Sequence, residues 1–216
     1  MPLLRLSLFL FVMAICNVQS LYANNTAESV LRLLVLGDSL SAGYGLKPED
    51  SFPSRLEEAL DVAGYRVHVI NAGVSGDTTA GGLSRLEWAL VDKPHIVLVE
   101  LGGNDALRGL PPAETYANLE SIIVKLKKNG VRVVLAGMQA PRNLGKDYTL
   151  EFDAIYSRLA GQYDIPLYPF FLDGVALDPA LNQPDGIHPN PAGVKVIVKK
   201  ILPLLESELQ QLNFEN

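Results

Sequence analysis

Ser39, His188 and Asp185 are residue types that can carry nucleophilic chemistry together, and their settings suit it. A serine hydroxyl is a weak nucleophile until a base takes its proton. His188 supplies an imidazole, and Asp185 stands three residues before it in the loop "QPDGIHPN". That loop can bend back so that Asp185 accepts from one ring nitrogen, which fixes the tautomer and favours imidazolium. The other nitrogen then takes the proton from Ser39. Two further residues suit the charge that such an attack creates. Asn104 offers a side-chain NH2 from "GGND", and Gly76 offers an unobstructed backbone N–H from "NAGVSGDT". With the N–H of Ser39 these can form an oxyanion hole.

Each piece also has an ordinary use. Gly37-Asp38-Ser39 is a common turn composition, in which Asp38 can brace the turn. "SGDT" can lead into a helix capped by Thr78, "GGND" is a turn signal, and "DGIHPN" can be only a loop before a helix. His68 and His95 fall inside or beside strands and read as structural. Other site chemistries have less support. The sequence holds no G-x-x-x-x-G-K-[ST] loop and no G-x-G-x-x-G fingerprint. Asp185 and His188 as metal ligands lack a second clustered pair. Asp38 as a phosphoryl acceptor fits poorly with export. The nucleophile elbow G-x-S-x-G is not met either, because Ser41 stands where the second glycine belongs.

The elements around these residues explain why they would meet. Apolar runs at 30–37, 66–71, 95–102 and 131–138 read as strands, with a weaker one at 165–170. Near-continuous apolar character suits strands buried on both faces. Helical patterns fall between them. In the clearest, Tyr116, Leu119, Ile122, Ile123 and Leu126 share a face. The last helix is expected to start with Asn190 as its cap and Pro191 in its first turn, and to bury Val194, Ile197, Val198 and Ile201. Alternation of this kind predicts an α/β fold, a five-stranded parallel sheet between two helical layers in flavodoxin-like order. Ligands in such sheets bind beyond the carboxyl ends of the strands. Ser39, Gly76, Asn104 and the Asp185–His188 pair all follow strands there.

Composition agrees with a globular domain: 48% of the 216 residues are apolar and 19% charged. The net charge of −6 gives no electrostatic footprint for nucleic acid. Residues 1–23 combine one Arg, an apolar run from Leu6 to Ile15 and a small or polar tail. This predicts a cleaved secretory signal, ending after Ala23 or, alternatively, Ser20, with an uncleaved anchor as the rival. Ile15 before Cys16 disfavours a lipoprotein signal. Cys16 is the only cysteine, so a mature chain of residues 24–216, read as a single domain, would have no thiol.

The blocks "GDSLS", "SGDT", "GGND" and "DGIHP", in this order, resemble the four motif blocks of the SGNH, or GDSL, hydrolase superfamily. "VLVELGGNDALRGL" and "DGIHPN" are similar to its bacterial periplasmic esterase, thioesterase and lysophospholipase branch. The resemblance implies a flavodoxin-like sandwich and no cofactor. It implies Ser39 as nucleophile, Asp185 and His188 completing a triad, and Gly76 and Asn104 as oxyanion donors. It implies a periplasmic or secreted enzyme acting on small acyl esters or thioesters, with no obligate protein partner. An acyl group needs an apolar groove. Leu107 and Leu110, together with Met138, Pro141 and Leu144, are candidates to line it. A carbohydrate O-acetylesterase on the same fold is the rival within hydrolases. A silent binding module is the rival outside them, although no triad residue is lost.

Overall fold

The computed structural model describes residues 30–215. The segment read as a signal, with both of its alternative ends, lies outside the described residues. Five strands form one parallel sheet: β1 (Leu31–Gly37), β2 (Val67–Gly73), β3 (Ile96–Glu100), β4 (Arg132–Ala136) and β5 (Leu167–Tyr168). Their order is β2-β1-β3-β4-β5, the flavodoxin-like order. β1 and β3 are central, and no residue of β3 is exposed. Leu33, Val35 and Leu36 are completely buried.

Among the described residues the helices are α1 (Ser39–Ala42), α2 (Phe52–Val62), α3 (Thr79–Ser84), α4 (Leu86–Ala89), α5 (Gly103–Leu107), α6 (Pro112–Lys128), α7 (Lys146–Tyr163) and α8 (Pro191–Glu215). α2 packs on α8, while α6 packs on α3 and α7, which gives the two outer layers. Leu119, Ile122, Ile123 and Leu126 of α6 are all buried; removing such side chains from water stabilises by roughly 1.5–3 kcal/mol each. α8 begins as expected, with Asn190 Oδ1 accepting from the N–H groups of Ala192 and Gly193. Val194, Ile197, Val198 and Ile201 are buried beneath it. Among the described residues no helix is long and apolar enough to cross a membrane.

β1 differs from the sequence reading by one residue, and β3 and β4 each start one residue later and end two earlier, at Glu100 and Ala136. β2 continues two residues further, because Asn71, Ala72 and Gly73 remain paired with Val35, Leu36 and Gly37. β5 shrinks to two residues at the sheet edge. Pro166 and Pro169 flank it, and a proline has no N–H to extend a ladder.

Candidate active site

The site grows from the end of β1. Asp38 caps α1, its Oδ1 accepting from Leu40 N–H at 3.0 Å, and Ser39 is the first helical residue. The strand therefore stops in a capped turn that presents Ser39 at the carboxyl edge. A Cβ on Gly37 would collide with Ser41 Oγ and Glu100 Oε2, so glycine is required for that close approach.

His188 Nε2 lies 2.9 Å from Ser39 Oγ, and His188 Nδ1 lies 2.7 Å from Asp185 Oδ2. Asp185 Oδ1 accepts from the backbone N–H groups of Ile187 and His188, which folds the loop back on itself. Those N–H groups, and then the imidazole, hold the Asp185 carboxyl down at about 2. It stays ionised wherever His188 can act as a base. Gln183 N–H donates to His188 O, and Gln183 Nε2 donates to Tyr44 O, tying this loop to the end of α1. The Tyr44 ring covers the imidazole at 4.5 Å between centroids.

The remaining loops join through Asn104. Its Nδ2 donates to Asp38 Oδ2 at 3.0 Å and to Asp77 O at 2.9 Å. Asn104 is thus anchored beside Ser39 and beside Gly76. Gly76 has φ +84°, a conformation L side chains adopt rarely, and its carbonyl accepts from Arg108 Nη2 at 2.7 Å. Asp105 accepts from Thr79 N–H and Oγ1, at 2.9 and 2.5 Å, fastening α5 to α3. Thr78 also caps α3 through Gly81 N–H, so its loop has both a capping and a site role. All five predicted chemical residues come together at one edge.

The sequence reading does not include three further contributors. Arg85 Nε donates to Asp77 Oδ2 at 2.6 Å and Nη2 to Gly37 O at 2.9 Å, bracing the Gly76 loop against β1. Tyr44 was within a glycine-rich loop with nothing to point to the histidine. Glu100 ends β3 and is completely buried. Its Oε2 accepts from Ser41 Oγ at 2.5 Å and from Asp38 N–H at 3.3 Å, while Oε1 is buried without a partner. A lone acid ending an apolar strand beside a glycine-rich loop was the available clue.

Asp38 and Glu100 form a buried carboxyl pair. Burial pushes Asp38 up to about 6, against Leu40 N–H, the nearby imidazole and the Asn104 amide, which favour its anion. Burial, reinforced by Asp38, pushes Glu100 well above the usual carboxylate range. Like charges this close do not both ionise readily, so the pair holds a proton more tightly than either carboxyl would alone.

A cavity of about 630 Å³ opens beside Ser39 and His188. Of the expected apolar residues, Leu107, Met138 and Pro141 line it. Leu110 and Leu144 do not. The chain turns away after Leu107, with Leu110 N–H donating back to Asp105 O. Beyond Pro141, Arg142 is held by Asp153 and Gln139, and Leu144 closes the outer 3₁₀ turn Arg142–Leu144. Phe170, Leu177 and Ile187 complete the wall instead. His68 is exposed beside Glu57, and His95 accepts Arg32 N–H at the opposite end of the sheet. Among the described residues no cluster of three or more His, Cys, Asp or Glu could hold a metal ion.

Residues 35–196 match the GDSL-like lipase/acylhydrolase family. The chain belongs to this family. It is 48% identical over 161 residues to an arylesterase of Vibrio mimicus, covering 74% of this chain and 80% of that protein. It is 41% identical over 181 residues to thioesterase 1/protease 1/lysophospholipase L1 of Escherichia coli strain K12, covering 82% and 86%. The crystal structure of TesA is similar with a TM-score of 0.78 at 42% identity, covering 82% of this chain and 98% of that one. This GDSL-family chain shares with that structure the parallel sheet flanked by helices.

Proposed function

We propose that this ester hydrolase is an exported serine enzyme that cleaves carboxylic esters and thioesters of acyl substrates through an acyl-enzyme on Ser39. The observation that carries the reading is the hydrogen-bonded chain from Ser39 Oγ through His188 to Asp185, at 2.9 and 2.7 Å. His188 takes the Ser39 proton as Oγ attacks the carbonyl, and Asp185 stabilises the imidazolium that forms. The tetrahedral oxyanion is received by the N–H groups of Ser39 and Gly76 and by Asn104 Nδ2, one of whose two hydrogens turns to it from Asp38 Oδ2 or Asp77 O. His188 then protonates the departing alkoxide or thiolate, and water clears the acyl group by the same steps. The relatives named arylesterase and thioesterase support both leaving-group classes. The apolar cavity wall supports an acyl chain over a sugar as the group held there. Export rests on the composition of residues 1–23, and N-terminal sequencing of the secreted chain tests it.

The deciding assay is hydrolysis of p-nitrophenyl acetate, butyrate, octanoate and palmitate by the protein and by Ser39→Ala. Activity extending beyond acetate and lost in Ser39→Ala is expected. Equal rates for both proteins would remove Ser39 as the nucleophile. Activity confined to acetate, and shared with acetylated sugars, would favour a carbohydrate O-acetylesterase.

A further inference from the structure

Tyr44 lies over the His188 imidazole, yet the packing of the protein gives no reason for a tyrosine there. The residue is half-exposed and stands outside the hydrophobic core. No described residue bonds its hydroxyl. It is not part of the wall of the cavity beside Ser39. Its ring meets the imidazole instead, with 4.5 Å between centroids and 35° between planes.

The backbone is built to put the ring in that place. Gly43 ends α1 at φ +82°, and Leu46 N–H donates to Gly43 O at 3.0 Å, so Tyr44 sits in a tight turn. Tyr44 N–H donates to Ser39 O at 3.1 Å. Tyr44 O accepts from Gln183 Nε2, which also donates to Pro189 O at 3.0 Å, and Gln183 N–H donates to His188 O at 2.7 Å. Gly45, at φ +72°, leaves room for the Gln183 amide, where a Cβ would collide with its Oε1. Tyr44 is therefore tied to the nucleophile on one side and to the histidine loop on the other. Asp185 holds the Nδ1 edge of the imidazole and Ser39 meets the Nε2 edge, which leaves the two faces as the directions in which the ring can swing. Tyr44 closes one of them.

We infer that Tyr44 is a positioning residue for the reaction, its ring face holding the His188 imidazole in line with Ser39 Oγ and attracting the imidazolium as it forms. An aromatic face carries negative charge density and attracts a cation within about 6 Å of its centroid. That attraction is weak for neutral imidazole and grows as Ser39 gives up its proton. It therefore belongs to the transition state more than to the bound substrate. It does not involve the acyl chain, so it is the same for every ester. The inference rests on the hydrolase reading.

Tyr44→Leu keeps an apolar cover without the aromatic face, and Tyr44→Phe keeps the face. In Tyr44→Leu, kcat should fall on the order of tenfold for acetate and octanoate esters alike, with KM nearly unchanged, and Tyr44→Phe should keep most of the rate. Melting temperatures should stay close to that of the parent, because the residue stands outside the core. Should Tyr44→Leu melt far below the parent, Tyr44→Met takes its place. Parent rates in Tyr44→Leu would overturn the inference, and so would equal losses in Tyr44→Leu and Tyr44→Phe or a loss confined to KM. Labelling by an alkyl fluorophosphonate gives a second readout that needs no ester. Ser39 Oγ forms a bond to phosphorus, the P–F bond breaks, fluoride leaves, and His188 takes the hydroxyl proton. The labelling rate should also fall on the order of tenfold in Tyr44→Leu and recover in Tyr44→Phe. If the parent is labelled but hydrolyses no ester, the hydrolase reading fails, and labelling alone decides Tyr44: unequal rates keep the inference, and equal rates remove it. A parent that neither hydrolyses nor labels removes both.

Discussion

Around Ser39, Asp38 and Asn104 each make several hydrogen bonds, and Asp38 and Glu100 are shut away from solvent. Across the same cavity, Leu107, Leu177 and Ile187 present about half or more of their surface to solvent. The polar side is over-determined, whereas the apolar side is open. Charge stabilisation depends on direction, so its donors must be held close to where the oxyanion forms. Apolar burial is non-directional and scales with area, so its groups need only be near the chain they cover. Damage to the polar side should therefore cost rate at every chain length, and damage to the apolar side should cost less and only with longer chains.

The largest effect should follow Asn104→Ala. kcat should fall on the order of 10²–10³ for acetate and octanoate esters alike, with KM nearly unchanged. An unchanged kcat in steady-state assays would take Asn104 out of the oxyanion hole.

Glu100→Ala should come next. It strands the Asp38 N–H and the Ser41 hydroxyl and leaves a cavity, costing on the order of 2–4 kcal/mol in urea unfolding. Glu100→Gln keeps an acceptor and should cost less. The same pair predicts a pH dependence. Asp38 and Glu100 both have folded values above their ordinary ones, 3.8 and 4.5, so the native chain holds protons that the unfolded chain releases. Their contribution to stability is fully present below those ordinary values. For Asp38 it is lost as pH rises through about 6, and for Glu100 it continues to fall above that. Asp185 has the opposite sign, and its contribution is lost only as pH falls from 3.8 through about 2. Glu100→Gln should flatten the urea midpoint against pH above 4.5, and an unaltered slope would show that Glu100 has no part in the pair's raised titration.

Arg85→Lys should be milder. A lysine cannot bridge Asp77 and Gly37 O together, so the Gly76 loop loosens and kcat drops about tenfold. Loss confined to KM would argue against this bracing role. Leu107→Ala should be smallest, with a reduction of about 2–5-fold for octanoate over acetate esters. A larger loss, equal on both esters, would blur the contrast between the two sides.

How much of this was legible follows the same division. Ser39, Gly76, Asn104, Asp185 and His188 stand in short polar blocks at strand ends, where local composition departs sharply from the apolar runs before them. The apolar wall has no such mark. A leucine on a wall and a leucine on a turn have the same local surroundings, which is why Leu110 and Leu144 were expected there and Phe170, Leu177 and Ile187 were not. Glu100 and Arg85 were hidden for another reason. The partners of Glu100 are 59 and 62 residues away, at Ser41 and Asp38, and although Asp77 lies only 8 residues from Arg85, the bond that braces the loop against β1 reaches Gly37 across 48 residues.

By itself the sequence determined the alternation of strands and helices, the parallel sheet, and the polar loops that gather at its carboxyl edge. Hydrophobic periodicity and turn chemistry are local, and they are enough for that. Only the tertiary structure decided that Glu100 lies under the nucleophile's turn, that Asn104 spans Asp38 and Asp77, and that the Tyr44 ring covers His188. These arrangements arise when neighbouring strands and loops bring distant residues within hydrogen-bonding or van der Waals reach, and that distance is a property of the packed fold alone.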